Sequence, residues 1–389
     1  MHETRLPHEK NLHLPNAATI ARLLEHRGAN AVTIYLPTVE SGDASAKNRI
    51  RFKNAVQRST DALRAMGADD AVIERTFEPV SRWESGDDWW AHQGHGLAVF
   101  LHDGAIDAFR LPASVEERTL VGDRFHMLPL LQLRDASWPH YVLCLEQQGP
   151  TLYAATAHTL DPVIHDLPSL SDALGHQTTE AHSKGHSTAS DGGRWILHGH
   201  GNGSDEEHKR ELRKYCRVVD EKVRAILPNG RTPLVVVAVD YVGAIYADAS
   251  DHPTIIGRVA GNPGSFDREE LHRRTFSVAE AHFAEPQNRD LEALGQALHR
   301  DMATVEIERV LRAANDGRIE VLFLQTGEQL TGKWEPTKRS VTELSDDDRS
   351  DHALMDLAAR EVLGKGGRLR FTDGSSLPTD EPVAAILRY

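Results

Sequence analysis

Short apolar runs alternate with longer amphipathic segments along this chain. The runs are rich in β-branched residues and predict buried strands, whereas a period of about 3.6 in the longer segments predicts helices. The predicted strands are 31–36, 97–101, 106–110, 141–145, 151–155, 234–239, 318–324, 368–371 and 384–389. The predicted helices are 19–28, 45–66, 204–227, 242–249, 303–314 and 351–363. Strands separated by long crossovers indicate an α/β fold with mainly buried sheets.

The chain is too long for one ordinary core, since it has 389 residues. Trp138-Pro139 separates a first group of strands from a second, and residues 168–203 form a long polar loop rich in Gly, Ser, Thr and His. The last third combines strands with helices as an αβα sandwich. We therefore predict three domains, 1–138, 139–285 and 286–389.

Composition narrows the class of protein. No apolar run reaches membrane-spanning length, and the two cysteines exclude a disulfide framework, so we predict a cytoplasmic protein without a membrane partner. The net charge of −14 argues against broad, non-specific nucleic-acid binding, although it leaves room for a local basic patch.

One segment reverses this acidic balance. Residues 47–64 carry six basic side chains and one acid, Asp61. The basic side chains are Lys47, Arg49, Arg51, Lys53, Arg58 and Arg64. One hypothesis is contact with RNA phosphates through Lys47, Arg49, Arg51 and Lys53, and the other is a solvated helix face.

A glycine loop at His198–Ser204 precedes the helix 204–227. Gly199, Gly201 and Gly203 alternate with His200 and Asn202, which suits a loop with positive φ. Ser204 or Asp205 is expected to cap the helix. The loop lacks the spacing of nucleotide-binding loops, so we predict no nucleotide and no other cofactor.

Other chemistry-bearing residues receive the simpler interpretation. Eight histidines fall between His158 and His208, but no cysteine or spaced carboxylate completes a zinc site, so we predict no metal. Asp240 and Asp248 at a strand end are interpreted as helix-cap or surface acids, and Trp89-Trp90 as core or interface anchors.

With its units in this order, the chain resembles the bacterial branch of the archaeo-eukaryotic class-1 peptide release factor and Pelota superfamily. The stretch 313–324, Ala-Ala-Asn-Asp-Gly-Arg-Ile-Glu-Val-Leu-Phe-Leu, is similar to the helix-to-strand step of an L7Ae-like domain. The ending at 382–389 is similar to that of the bacterial members. The resemblance implies a three-domain release-factor-like architecture. Its domains would be an N-terminal α/β domain, a ribonuclease-H-like middle domain and an L7Ae-like αβα C-terminal domain.

The chain departs from this family at the loop that bears the Gly-Gly-Gln tripeptide. Residues 199–203 occupy that place without a glutamine, and Asn202, with His200 beside it, is the candidate catalytic residue there. Lys47-Asn48-Arg49-Ile50-Arg51 lies where release factors carry their Asn-Ile-Lys-Ser loop. The resemblance therefore implies ribosome engagement more strongly than ester hydrolysis, and no reading of stop codons.

The resemblance implies a ribosome-associated translation factor that binds the A site in rescue, recycling or hibernation. Its partners would be rRNA, P-site tRNA and an elongation-factor-like GTPase. Two alternatives stay open. One is a peptidyl-tRNA hydrolase that uses the variant glycine loop, and the other is a stress-response interaction module that no longer binds ribosomes.

Overall fold

The computed structural model describes most of the chain, and the predicted α/β fold class is confirmed. It describes residues 14–39, 44–84, 89–90, 93–146, 149–163, 166–175, 202–227, 232–342, 353–373 and 376–389. For residues 44–45, 81–84 and 202–205 the description is of the backbone alone.

The N-terminal part is an antiparallel sheet with helices packed on it. Its elements are α1 Ala17–Glu25, β1 Ala31–Pro37, α2 Ala44–Ala65, α3 Asp70–Glu84, β2 Gly96–His102, β3 Ala105–Leu111, β4 Arg118–Gly122 and α4 Leu128–Asp135. The strand order is β3-β2-β1-β4. Asp103-Gly104, a hairpin signal in the sequence, separates the predicted strands 97–101 and 106–110, and β2 and β3 do pair there as a hairpin. Positive φ at Asp103 (42°) and Gly104 (77°) gives the two-residue turn the twist that a hairpin requires.

The middle part is a mixed sheet covered on both faces. Its elements are β5 His140–Cys144, β6 Thr151–Ala155, β7 Leu160–Pro162, α5 Leu170–Leu174, α6 Asn202–Ile226, β8 Leu234–Ala238, α7 Asp240–Ala249, β9 Ile255–Ala260 and α8 Arg268–Leu298. In the order β7-β6-β5-β8-β9, the strands β5, β8 and β9 are parallel. α6 and α7 pack on one face, and the first half of α8 packs on the other.

The C-terminal part forms a second sheet with helices on both faces, as the predicted αβα layering requires. Its elements are β10 Ala303–Thr304, α9 Ile307–Asn315, β11 Ile319–Gln325, β12 Lys333–Glu335, β13 Ser340–Thr342, α10 Leu354–Gly364, β14 Arg368–Thr372 and β15 Val383–Leu387. The main sheet has the order β10-β15-β11-β14. The single predicted helix 303–314 is wrong at its start, because Ala303 and Thr304 pair with β15 as a strand.

The structure groups these parts into two compact units. One consists of Met1–Ala136 with Gln287–Tyr389, and the other is Ser137–Pro286. In the first unit, a single hydrophobic core combines side chains such as Tyr35 and Phe100 with Leu322 and Leu354. The three predicted domains stay a prediction.

A buried polar cluster fastens the two segments of the first unit. Asp356 Oδ1 accepts hydrogen bonds from the backbone N–H of Met127 (2.6 Å) and Leu128 (2.7 Å), at the start of α4. Arg360 donates to the carbonyl oxygens of Phe125 (2.5 Å) and Leu24. Desolvation lowers the pKa of Arg360, so its charge depends on these acceptors and on nearby Asp356.

Candidate functional site

The glycine loop lies mostly outside the described residues. This applies to Gly199, His200 and Gly201, whereas Asn202 and Gly203 form the first turn of α6. The expected cap at Ser204 or Asp205 is therefore wrong, since the helix already includes both residues. Asn and Gly are tolerated here because the first-turn N–H groups have no intrahelical acceptor.

α6 is anchored by its middle turns. Leu212, Tyr215 and Val219 are fully buried against the sheet, and the Tyr215 hydroxyl donates to the carbonyl oxygen of Glu146 at 3.0 Å, just after β5. Asn202 lies 13 residues before Tyr215, about 20 Å along the helix axis at 1.5 Å per residue. The helix therefore carries the end of the glycine loop away from its anchor on the sheet.

The N-terminal half of α2 is fixed to the end of β1. The buried Asn48 side chain accepts from the Val39 N–H (3.2 Å) and donates to the Val39 carbonyl oxygen (3.0 Å). Arg51 donates to the carbonyl oxygen of Pro37 at 3.1 Å. These contacts set the direction of the helix that carries the four predicted RNA-binding side chains.

The basic side chains of α2 fall into two groups, those that pair with acids of the described residues and those that do not. Arg58 pairs with Glu117 at 2.6 Å, and Arg64 lies 3.5 Å from Asp70. In contrast, Lys47 and Lys53 are exposed, and no carboxylate of the described residues lies within 4 Å of either. Charge that could meet an external anion is thus concentrated in the first two turns.

Helical spacing arranges the four cations of residues 47–53 in two rows. Lys47 and Arg51 are four residues apart on one flank of α2, and Arg49 and Lys53 are four apart on the other. Ile50 lies between the rows and is 61% exposed. The four side chains therefore form a cationic surface with an apolar centre.

A family model matches the middle of the chain. Residues 139–318 match bacterial archaeo-eukaryotic release factor family 3. Over this stretch the chain is similar to that family. The match confirms the resemblance expected from the sequence, and it includes the glycine loop and α6.

Solved structures of release-factor-like proteins are also similar to the chain. Archaeal translation termination factor aRF1 is 12% identical with a TM-score of 0.24, over 96% of this chain and 97% of that one. Archaeoglobus fulgidus Pelota is 12% identical with a TM-score of 0.30, over 75% and 79%. S. cerevisiae Dom34, a translation termination-like factor, is 12% identical with a TM-score of 0.36, over 76% and 79%. At these identities and TM-scores, the likenesses carry no argument about function. Among curated proteins, none matches this chain.

The family 3 stretch contains acids at the ends of its parallel strands, but they form no metal centre in the described residues. Asp240 opens α7, and Asp248 pairs with Arg213 at 3.0 Å, as expected of cap or surface acids. Burial raises the pKa of Glu146. Of the eight histidines near the loop, His158 and His208 lie in the described residues and the other six lie outside them.

The paired tryptophans Trp89 and Trp90 pack into the core of the N-terminal part. Trp90 is buried, and its ring meets that of Trp89 edge-to-face at 4.7 Å, which confirms their role as core anchors. No helix among the described residues is long and apolar enough to cross a membrane.

Sequence reasoning missed one group of exposed cations within the family 3 stretch. Arg210, Lys214 and Arg217 lie at i, i+4 and i+7 on the solvent side of α6. That spacing was visible in the sequence, but acids interleave with the cations and hide the stripe until the helix is folded.

Proposed function

We propose that this protein binds the ribosomal A site as a release-factor-like translation factor, in rescue, recycling or hibernation, without reading a stop codon. The observation that carries the proposal is the family 3 match over residues 139–318. It covers the element that presents the glycine loop, and this loop would point toward the peptidyl-tRNA.

The cationic rows of α2 support the proposal from the other unit. Lys47, Arg49, Arg51 and Lys53 would contact rRNA phosphates. Lys47 and Lys53 are exposed and have no carboxylate of the described residues within 4 Å, so they bind phosphate without first breaking an ion pair. The helix is held rigidly by Asn48, so the rows keep one orientation when phosphates bind.

Two absences from the sequence limit the proposal. The chain contains neither a Gly-Gly-Gln tripeptide nor an Asn-Ile-Lys-Ser motif. A P-site tRNA contact, an elongation-factor-like GTPase, a docking role for an L7Ae-like C-terminal domain and a cytoplasmic location remain parts of the proposal that follow from the resemblance alone.

Ribosome co-sedimentation tests the proposal. The full chain should pellet with ribosomes in at least one growth phase, including starvation. The double variant Lys47→Gln/Lys53→Gln should weaken binding by on the order of tenfold or more at low salt, with a shallower salt dependence. Absence of co-sedimentation in every growth phase would contradict ribosome binding and favour the stress-response interaction module.

The matched control is Arg58→Gln/Arg64→Gln on the same helix. It removes the same formal charge from residues that already pair with acids. We expect it to change ribosome binding less than twofold, because exposed ion pairs contribute little. Equal losses in the two double variants would assign the effect to net charge and contradict a specific surface on α2.

Peptide release is the second candidate, favoured by the position of the glycine loop at the start of α6. An amide at Asn202 would have to replace the glutamine with a side chain shorter by one methylene, and a displacement near 1 Å costs on the order of 100-fold in rate. Release of peptide from a P-site peptidyl-tRNA by the purified protein, lost in Asn202→Ala or in His200→Ala, would establish a hydrolase.

A further inference from the structure

The solvent side of α6 carries a row of cations opposite its buried face. Arg210, Lys214 and Arg217 are exposed and recur at i, i+4 and i+7, so they align along about 10.5 Å of helix. Arg213 lies beside them and pairs with Asp248 at 3.0 Å. Both members of that pair are more than half exposed, so a competing anion can separate them at small cost.

These three cations differ from Lys209, Arg213 and Arg224 on the same helix in having no ionic partner among the described residues. Lys209 lies 3.4 Å from Glu206, and Arg224 lies 2.9 Å from Asp220. Within the part of the chain that the structure describes, no carboxylate oxygen lies within 4 Å of Arg210, Lys214 or Arg217. Like charges four residues apart repel each other, so an anion bound between Arg210 and Lys214 would relieve that repulsion.

The side chains on the solvent side of α6 favour a polyanion over a protein as the partner. Protein interfaces are centred on buried aromatic and other apolar anchors. The exposed large apolar side chains of the described residues are Val39, Ile50, Met66, Met302 and Tyr389, none of which is on α6. A row of guanidinium and ammonium groups without such an anchor fits phosphates, to which arginine binds bidentately.

We propose that the stripe Arg210–Lys214–Arg217 binds the phosphate backbone of an RNA helix, with Arg213 joining after release from Asp248. The proposal deepens the proposed function and rests on it for the source of the RNA, which would be ribosomal or transfer RNA. The charge pattern itself requires only consecutive phosphates. The stripe would therefore hold the part of the chain that carries α6 on RNA.

Binding of a short RNA duplex to the full protein tests this directly. The triple variant Arg210→Gln/Lys214→Gln/Arg217→Gln should lower affinity by on the order of 100-fold at about 0.1 M salt, and the slope of log K against log salt should become shallower by about two to three. The control Arg300→Gln/Arg309→Gln/Lys338→Gln removes the same three charges from other surfaces and should change affinity less than threefold. Circular dichroism verifies that each variant keeps its helices.

The outcomes separate this proposal from the proposed function. RNA duplex binding that depends on the stripe, in a protein that never co-sediments with ribosomes, supports the stripe and contradicts the ribosomal role. Equal losses in the triple variant and its control overturn the stripe, as does wild-type protein that binds neither duplex nor ribosomes. Binding of free phosphate or poly-glutamate with the affinity of the duplex would also overturn it.

Discussion

At the scale of single residues, Asp356 connects the two chain segments of the first unit. Its side chain lies on α10, yet it accepts two N–H groups at the start of α4, 228 and 229 residues away in the chain. It also lies 3.4 Å from the buried His126 and 3.8 Å from Arg360. Removing the carboxylate would leave two buried N–H donors without their acceptor and the buried Arg360 without its nearby countercharge, which is the costly way to break such a cluster.

We therefore predict that Asp356→Ala lowers the free energy of unfolding of the first unit by about 3 to 5 kcal/mol. The control Glu117→Ala breaks the half-exposed pair with Arg58 and should cost less than about 1 kcal/mol. Urea unfolding followed by tryptophan fluorescence measures both. Similar midpoints for the two variants would contradict a central role for Asp356.

At the scale of elements, local signals predicted the hairpin turn and the long helices α2 and α6, but they missed the longest helix, α8. The Asp-Gly pair at 103–104 predicted its hairpin because the turn requires positive φ at adjacent residues. The 31-residue helix α8 was missed, because Pro286 interrupts its pattern and its two halves belong to different compact units. Each half is amphipathic toward a different core, so no single apolar stripe runs through the whole helix.

Two glycine substitutions test this contrast between turn and helix. Gly104→Ala should destabilise by about 1 kcal/mol or more, because φ is 77° and alanine avoids that region. Gly295→Ala in α8 should stabilise by about 0.5 to 1 kcal/mol, since no atom lies within 4 Å of the added Cβ and alanine favours helix. Thermal unfolding measures both, and shifts of the same sign would contradict the assigned backbone conformations.

At the scale of the whole molecule, burial of neutral histidines couples stability to pH. Desolvation lowers the pKa of four described histidines below the ordinary value of 6.5. They are His26, His126, His140 and His252. Below that pH the unfolded chain binds protons that the folded protein does not, so the stability is fully present above pH 6.5 and falls as the pH decreases.

We expect the unfolding midpoint to be lower at pH 5.5 than at pH 7.5. Burial raises the pKa of Asp135 and Glu146, which acts in the opposite direction as the pH falls through their raised pKa values toward the ordinary 3.8 and 4.5, and we expect the four histidines to outweigh these two groups. Replacing His126 with Phe removes one titrating group and should reduce the difference between the two pH values. A midpoint that does not change over this range would contradict the histidine mechanism.

From the amino-acid sequence alone, the fold class, most of the strands and the resemblance to bacterial release-factor-like proteins could be predicted. A β-branched apolar run such as 234–239 is typical of a buried strand in an α/β protein, so the local pattern is enough to predict the strand. The sequence also located the cationic start of α2 and the loss of Gly-Gly-Gln. The cations that are neutralised by acids become visible in the folded chain alone, because the acid that pairs with Arg58 is Glu117, 59 residues away. The tertiary structure also decided that Met1–Ala136 shares one core with Gln287–Tyr389, since such packing depends on contacts between distant segments that no local pattern encodes.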